Sequence, residues 1–289
     1  MDSYILYKLA QLISQSLPLK AGYKLAEKLA LFQYHLSTVD RQSVYGNLQC
    51  ILNNSDERDK IAREVFKNFA KYLVDFLRID KIDKKFIKEN IEYRGLEVIE
   101  QVLSQGNGLI AVTAHLGNWE LCGITLSLLG YPVTAIAMEH KSKKVTDFFV
   151  NQRESKGLHI IQVGIGVRKA FKALKQNKIL GILGDRDFSG ENGIFLEFFG
   201  KKLLTPRGPA VFSIKTGAPI VPVFMIRKND GFSYKMICEK PIIAGDFPSA
   251  EERVEDLTSR VLDIIKQYII SYPAQWFMFR PFWVAEKIF

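Results

Sequence analysis

Leu109-Ile110-Ala111-Val112-Thr113-Ala114-His115-Leu116-Gly117-Asn118-Trp119-Glu120 carries the reading of this chain. The apolar, β-rich run Leu109 to Ala114 ends at a histidine, and a helix-like segment, Asn118 to Leu129, follows the glycine. His115 and Glu120 are five residues apart. In an unbroken helix that spacing turns the chain by roughly 500° and leaves the two side chains about 140° apart. They meet only if His115 sits outside the helix, in the turn before it, and Gly117 supplies the backbone freedom for such a turn. The expected product is an imidazole at a strand end, beside a helix N-terminus, with a carboxylate one turn inside to orient it.

That arrangement suits a general base. The positive end of a helix disfavours imidazolium and keeps His115 neutral. Glu120 would fix the tautomer and stabilise the imidazolium once formed, as the acidic member of a catalytic triad does. No serine or cysteine nucleophile stands beside the pair, so the proton removed would belong to a substrate hydroxyl. The structural alternative is a capped helix with a buried, hydrogen-bonded histidine.

His115-Leu-Gly-Asn-Trp-Glu120 resembles the His-x4-Asp/Glu motif of the bacterial lipid A biosynthesis acyltransferases. That family includes lauroyl and myristoyl transferases and the related mannoside acyltransferases. Further segments resemble the family in order and spacing, roughly from Leu9 to Trp283. They are Arg41 to Asn47-Leu48, Gly181 to Asp185-Arg186-Asp187, Phe198-Phe199-Gly200, Thr205 to Ala210, Thr216 to Val223 and Pro273-Ala-Gln-Trp276. The resemblance implies transfer of a fatty acyl chain from a thioester, on acyl carrier protein or coenzyme A, to a hydroxyl of a glycolipid. It implies His115 as base with Glu120 in support, no cofactor, and a peripheral or monotopic place on the cytoplasmic face of the inner membrane. Two segments depart from the pattern. Arg186 stands where the family often has Gln, and Trp276 to Trp283 replaces the usual Trp-x-Trp-x-His-Arg-Arg-Trp ending. Both leave the acceptor open, including a glycolipid other than a lipid A precursor.

Composition agrees with an enzyme of this kind. The 289 residues are 47% hydrophobic, enough for a sizeable core and against disorder. The three cysteines, Cys50, Cys122 and Cys238, are scattered, so neither a disulfide framework nor a zinc site is indicated, and a reducing compartment is expected. The net charge of +9 attracts anions. No nucleic-acid module is visible, so acidic carrier protein or phosphorylated lipid fits better than nucleic acid. Neither a signal peptide nor a membrane span is read. Apolar positions Tyr4, Leu6, Leu9, Leu12, Ile13 and Leu17 suggest amphipathic helices that lie in a membrane interface or pack on the core.

The expected fold is a single α/β domain with a mixed, mostly parallel central sheet flanked by helices. Residues 1–90 form a helical N-terminal portion and 91–289 the catalytic core. Asp56 to Phe76 reads as a helix capped from Asn53-Asn54-Ser55. Strands are expected at Glu92–Arg94, Leu109–Ala114, Val133–Ala137, Ile160–Val163, Ile179–Leu183, Ile220–Arg227 and Tyr234–Cys238. Helices are expected at Asn118–Leu129, Lys144–Lys156, Val167–Gln176, Pro206–Lys215 and Glu251–Ile270.

Other candidates stand beside simpler readings. Asp185, at a strand's C-terminal end where α/β ligands bind, takes from the resemblance a structural or acceptor-positioning role. Asp185 with Asp187 also matches the metal site of a glycosyltransferase. Arg186 would contact a phosphate or pair with a carboxylate. Arg168, near a helix start, would meet an anionic partner or simply be solvated. Asn118 would cap the helix or orient the substrate. Phe195, Phe198 and Phe199 would line an acyl groove or belong to the core. A non-catalytic lipid-binding protein at the membrane surface is the remaining alternative, with His115 and Glu120 as scaffold.

Overall fold

The computed structural model describes residues 3–52, 54–163, 166–186 and 193–283. The N-terminal portion is helical: α1 (Ser3–Ser16), α2 (Leu19–Leu36), α3 (Thr38–Leu48), α4 (Ser55–Leu77) and α5 (Lys84–Asn90). Asn54 caps α4, its side chain accepting from the backbone N–H groups of Asp56 and Glu57. Strands and helices then alternate: β1 (Ile91–Arg94), α6 (Glu97–Leu103), β2 (Leu109–Thr113), α7 (Trp119–Leu128), β3 (Val133–Ala137), α8 (Lys143–Glu154), β4 (His159–Gln162), α9 (Val167–Lys175) and β5 (Ile179–Leu183). A hairpin follows, β6 (Gly193–Phe198) and β7 (Lys201–Pro206), then α10 (Gly208–Thr216), β8 (Ile220–Arg227), β9 (Tyr234–Cys238) and α11 (Ala250–Ser271).

Seven strands form one sheet in the order β1-β9-β8-β2-β5-β3-β4. Every pairing is parallel except β8 with β9. β2 lies near the middle, with Ile110 between Leu180 of β5 and Ile220 of β8. Its apolar residues divide by the two-residue period of a strand. Ile110 and Val112 enter a core shared with α9, α10 and α11. Leu109 and Ala111 enter the opposite core, with α6, α7 and α8, against which Tyr4 and Tyr7 of α1 pack. Burial on both faces explains the continuous apolar runs of these strands.

Two elements escaped the sequence reading. α6 is short, and the β6–β7 hairpin turns on Phe199-Gly200, both in the left-handed region at φ 52° and 73°. A two-residue hairpin loop with both φ values positive matches the twist of the flanking strands, but Phe at its first position is not the usual signal. The expected helix start at Pro206 is also corrected: that residue ends β7.

The N-terminal helices are turned opposite to ordinary expectation. α1 buries Gln11 and Ser14 and exposes Leu6, Leu9, Leu12 and Ile13. α2 exposes Leu25, Leu29, Phe32 and Leu36. Among the described residues no helix is long and apolar enough to cross a membrane.

The C-terminal segment after α11 returns to the sheet and is held by one buried side chain of α3. Asn47 donates to the carbonyls of Met278 and Arg280 at 2.9 and 2.8 Å and accepts from the N–H of Phe282 at 2.9 Å. Asn47→Ala strands these buried backbone groups, at about 1–3 kcal/mol each before relaxation. We expect thermal unfolding to shift down by about 5 °C or more, checked by calorimetry.

Candidate active site

The apolar register of β2 ends at Thr113, and the chain leaves the sheet through Ala114-His115-Leu116-Gly117 before α7 starts. Gly117 is required twice. Its φ is +67°, and a Cβ there would lie 2.1 Å from the carbonyl oxygen of Met225. The turn is pinned by neighbours. The N–H of Gly117 donates to the carbonyl of Gln275, that of Asn118 to Met225, and that of Phe277 back to the carbonyl of His115, at 2.9, 2.8 and 2.7 Å. His115 therefore sits between a sheet edge and the C-terminal segment, outside the helix as expected.

Its carboxylate partner is Asp185. The parallel pairing of β2 with β5 sets Thr113 beside Leu183, and one turn later the two chain ends converge. Gly184 keeps them close, since a Cβ there would press to 2.5 Å from Val112. Asp185 is fully buried. One carboxylate oxygen lies 2.9 Å from His115 Nδ1, and the other accepts from the His115 backbone N–H at 3.0 Å. The ring edge packs against Trp119, which stacks on Tyr72 at 4.5 Å.

Glu120 was expected to orient His115, and this is corrected. Its carboxylate is taken by Arg153 of α8 in a two-pronged pair at 2.8 and 2.6 Å. Both side chains are largely buried, and the guanidinium lies over the Phe76 and Phe149 rings. Glu120 acts on the histidine only at range, through its charge. The expected neutralising influence of the helix end is corrected too. Burial opposes charge on His115, but the Asp185 carboxylate, by attraction and hydrogen bonding, outweighs it, with Glu120 adding. The pKa is raised above the ordinary 6.5.

The other candidates divide. Asn118 is buried and caps α7 by accepting from Leu121 N–H at 3.0 Å, while its amide donates to Asp75 and Tyr234. With its side chain committed inside the protein, direct substrate contact is replaced by capping. Phe198 is 2% exposed and belongs to the core with Phe282, so it does not line an open groove. Phe199 is half-buried on the hairpin turn, and Phe195 is exposed. Arg186 follows Asp185, donates to the carbonyl of Pro281 and lies over the Phe282 ring. Burial and the charge of Arg280 press its pKa down. Arg168 is exposed at the start of α9, which follows the edge strand β4. Asp187 lies outside the described residues.

Beneath the start of α7 lies a buried ionic network that sequence reasoning missed. Arg227 at the end of β8 pairs with Asp75 of α4 at 2.5 Å and donates to the Tyr23 hydroxyl at 3.0 Å. Tyr23 and Tyr234 donate to the same carboxylate. Gln275 clasps the Arg227 backbone, accepting from its N–H and donating to its carbonyl, both at 2.9 Å. The Gln of Pro273-Ala-Gln-Trp276 was visible as a motif, but its partner lay 48 residues away.

The chain matches the family described as bacterial lipid A biosynthesis acyltransferase over residues 3–284. It belongs to that family. It is 28% identical over 236 residues to a phosphatidylinositol mannoside acyltransferase of Mycolicibacterium smegmatis, covering 80% of this chain and 75% of the relative. It is 24% identical over 256 residues to a lipid A biosynthesis acyltransferase of Haemophilus influenzae, covering 87% and 80%. Among solved structures it is similar to the 1-acyl-sn-glycerophosphate acyltransferase PlsC of Thermotoga maritima, with TM-score 0.40, 16% identity and coverage of 85% and 96%. The protein is an acyltransferase, and this replaces the glycosyltransferase and non-catalytic readings.

The raised pKa has a definite sign. A group whose folded pKa exceeds its unfolded value stabilises the fold below the unfolded value, about 6.5 for His, and loses that contribution as pH rises through the folded value. In a histidine NMR titration, His115 should titrate above 6.5 in the wild type. It should titrate below 6.5 in Asp185→Asn, where burial dominates. An unchanged midpoint would refute the coupling.

Proposed function

We propose that this acyltransferase moves a fatty acyl chain from a thioester donor, acyl carrier protein or coenzyme A, to a hydroxyl of a glycolipid, with His115 as general base. The observation that carries the reading is the Asp185–His115 pair at the C-terminal end of β2. Asp185 holds Nδ1, so Nε2 takes the proton from the acceptor hydroxyl. The acceptor oxygen attacks the thioester carbonyl carbon, the carbon–sulfur bond breaks, and the leaving thiolate takes the proton back from the imidazolium. The product is an ester and a free thiol. Asp185 stabilises the charged ring between the two transfers. A glycolipid acceptor is supported by the names of the relatives, one acting on a phosphatidylinositol mannoside and the other in lipid A biosynthesis. Arg186, beside Asp185, is our choice for meeting an anionic group on that acceptor.

A general base contributes about 10²–10⁴-fold. His115→Ala should lower kcat by that factor with unchanged melting, assayed by lipid mass spectrometry with acyl carrier protein and coenzyme A donors and a membrane lipid extract. In the wild type, kcat/KM should fall below a pH midpoint above 6.5, as His115 becomes protonated. Near-normal transfer by His115→Ala would refute the mechanism.

We also propose that the protein lies on the cytoplasmic face of the inner membrane through α1 and α2. The support is the outward apolar face of helices whose buried positions include Gln11 and Ser14. An apolar stripe meeting lipid would recover roughly 1.5–3 kcal/mol per leucine. Leu9→Glu with Leu12→Glu should weaken sedimentation with phospholipid vesicles at least about 100-fold without altering the fold by circular dichroism.

A further inference from the structure

Thr134 of β3 is only 5% exposed, yet among the described residues its hydroxyl has no hydrogen-bond partner. It lines a cleft of about 270 Å³ between α9 and the starts of β3, β4 and β5. Strand register sets Thr134 beside His159 of β4. Two residues further on, Ile136 and Ile161 enter the core that α9 covers, so by the period of a strand Thr134 and His159 face α9 as well. Lys169, Lys172 and Gln176 line the cleft from α9, and Lys178 from the turn before β5. Among the described residues no carboxylate lines it, and none of the three lysines is in an ion pair. From Glu154 to Asp185 the chain carries six lysines and arginines with no carboxylate between those two ends.

Helix electrostatics explains only part of this. A cation in the last turn complements the helix dipole, which accounts for Lys172 and Lys175. Lys169 stands in the first turn, where a cation opposes the dipole, and His159 and Lys178 lie outside the helix. Like charges gathered around a concave surface raise the local concentration of anions. A buried hydroxyl without a partner costs free energy that a ligand oxygen would restore. Three ammonium groups match a diphosphate, whereas a single phosphate brings only about 1.5–2 negative charges. The cleft is smaller than the roughly 300–1,000 Å³ of drug-sized sites, so the anion is compact. β2, β3, β4 and β5 run parallel. The cleft therefore opens at their N-terminal ends, and His115 stands past the C-terminal end of β2.

We propose that this cleft is a second binding site, separate from the acyl-transfer site, for a compact anion carrying a diphosphate group. Lys169, Lys172 and Lys178 meet its charge, and the Thr134 hydroxyl donates to one of its oxygens. The site does not depend on the identity of the acyl donor or acceptor. α1 packs on the other face of the sheet, so a membrane met by α1 leaves the cleft open to a soluble anion.

The test is isothermal titration calorimetry with pyrophosphate in a phosphate-free buffer, with folding of each variant checked by melting. Pyrophosphate should bind the wild type with a Kd of about 0.1 mM or tighter, more weakly as salt rises, and about tenfold or more tighter than inorganic phosphate. Lys169→Gln combined with Lys172→Gln should weaken it about tenfold or more. Thr134→Val keeps the shape of the side chain and its strand position but removes the hydroxyl, and should weaken binding about threefold or more. Arg186→Gln, beside the acyl-transfer site, should bind pyrophosphate as the wild type does. ADP binding as tightly as pyrophosphate would assign the anion to a nucleotide, and weaker binding of ADP to a free diphosphate. No binding by the wild type at about 1 mM, or equal binding by the double lysine variant and by Thr134→Val, would overturn the proposal. So would loss of binding in Arg186→Gln, since that would place the anion beside His115, and so would inorganic phosphate binding as tightly as pyrophosphate.

Discussion

The contact between Asp185 and His115 organises the site because it is made twice. One oxygen holds the backbone N–H that would otherwise be left unsatisfied where β2 ends, and the carboxylate also holds the ring nitrogen. The first bond fixes where the strand stops, and the second fixes which way the imidazole faces. Both require β2 and β5 to be neighbours in register, and Gly184 to lack a side chain. A fully buried carboxylate is costly unless compensated. Here the compensation comes from the residue proposed as the base.

The turn after His115 has its own support, and it is ionic. Asp75 and Arg227, with Tyr23, Tyr234 and Asn118 around them, tie α2, α4, β8, β9 and the start of α7 at one point. Burial raises the pKa values of Tyr23 and Tyr234, aided by the Asp75 charge, so both hydroxyls stay protonated and donate. A buried ion pair adds little over an apolar substitute, but removing one partner costs about 3–5 kcal/mol. The network is therefore better understood as a specification of how the helical portion sits against the sheet than as a source of stability. Gln275 extends it to the C-terminal segment, whose backbone faces His115 from the other side.

How much of this was legible depended on sequence distance. The strands were readable because each is a short apolar run, and Val133–Ala137, Ile179–Leu183, Ile220–Arg227 and Tyr234–Cys238 have the bounds read from the sequence. His115 in a turn before the helix followed from the Gly117 and Glu120 spacing. What failed was the choice of partner. Glu120 is five residues away and was visible; Asp185 is 70 residues away and becomes a neighbour only when β5 lies beside β2. Arg153, which takes Glu120, is 33 residues on, in a helix with no pattern marking it. The inverted burial of α1 was equally hidden, since periodicity reports an apolar stripe but not which way it faces.

Two carboxylates, Asp185 and Glu120, act on the proposed base. Arg153 binds Glu120 through both oxygens, and the Glu120 charge still raises the His115 pKa from a distance. Asp185 acts directly, and burial of the imidazole works against it. Proton transfer is most efficient when the base titrates near the working pH, since a higher pKa strengthens the base but leaves less of it unprotonated. Burial and the Asp185 charge oppose each other here, with the charge prevailing, and the two residues are brought together by the register of β2 with β5. The same residue pair that terminates β2 thereby biases the protonation of the proposed base.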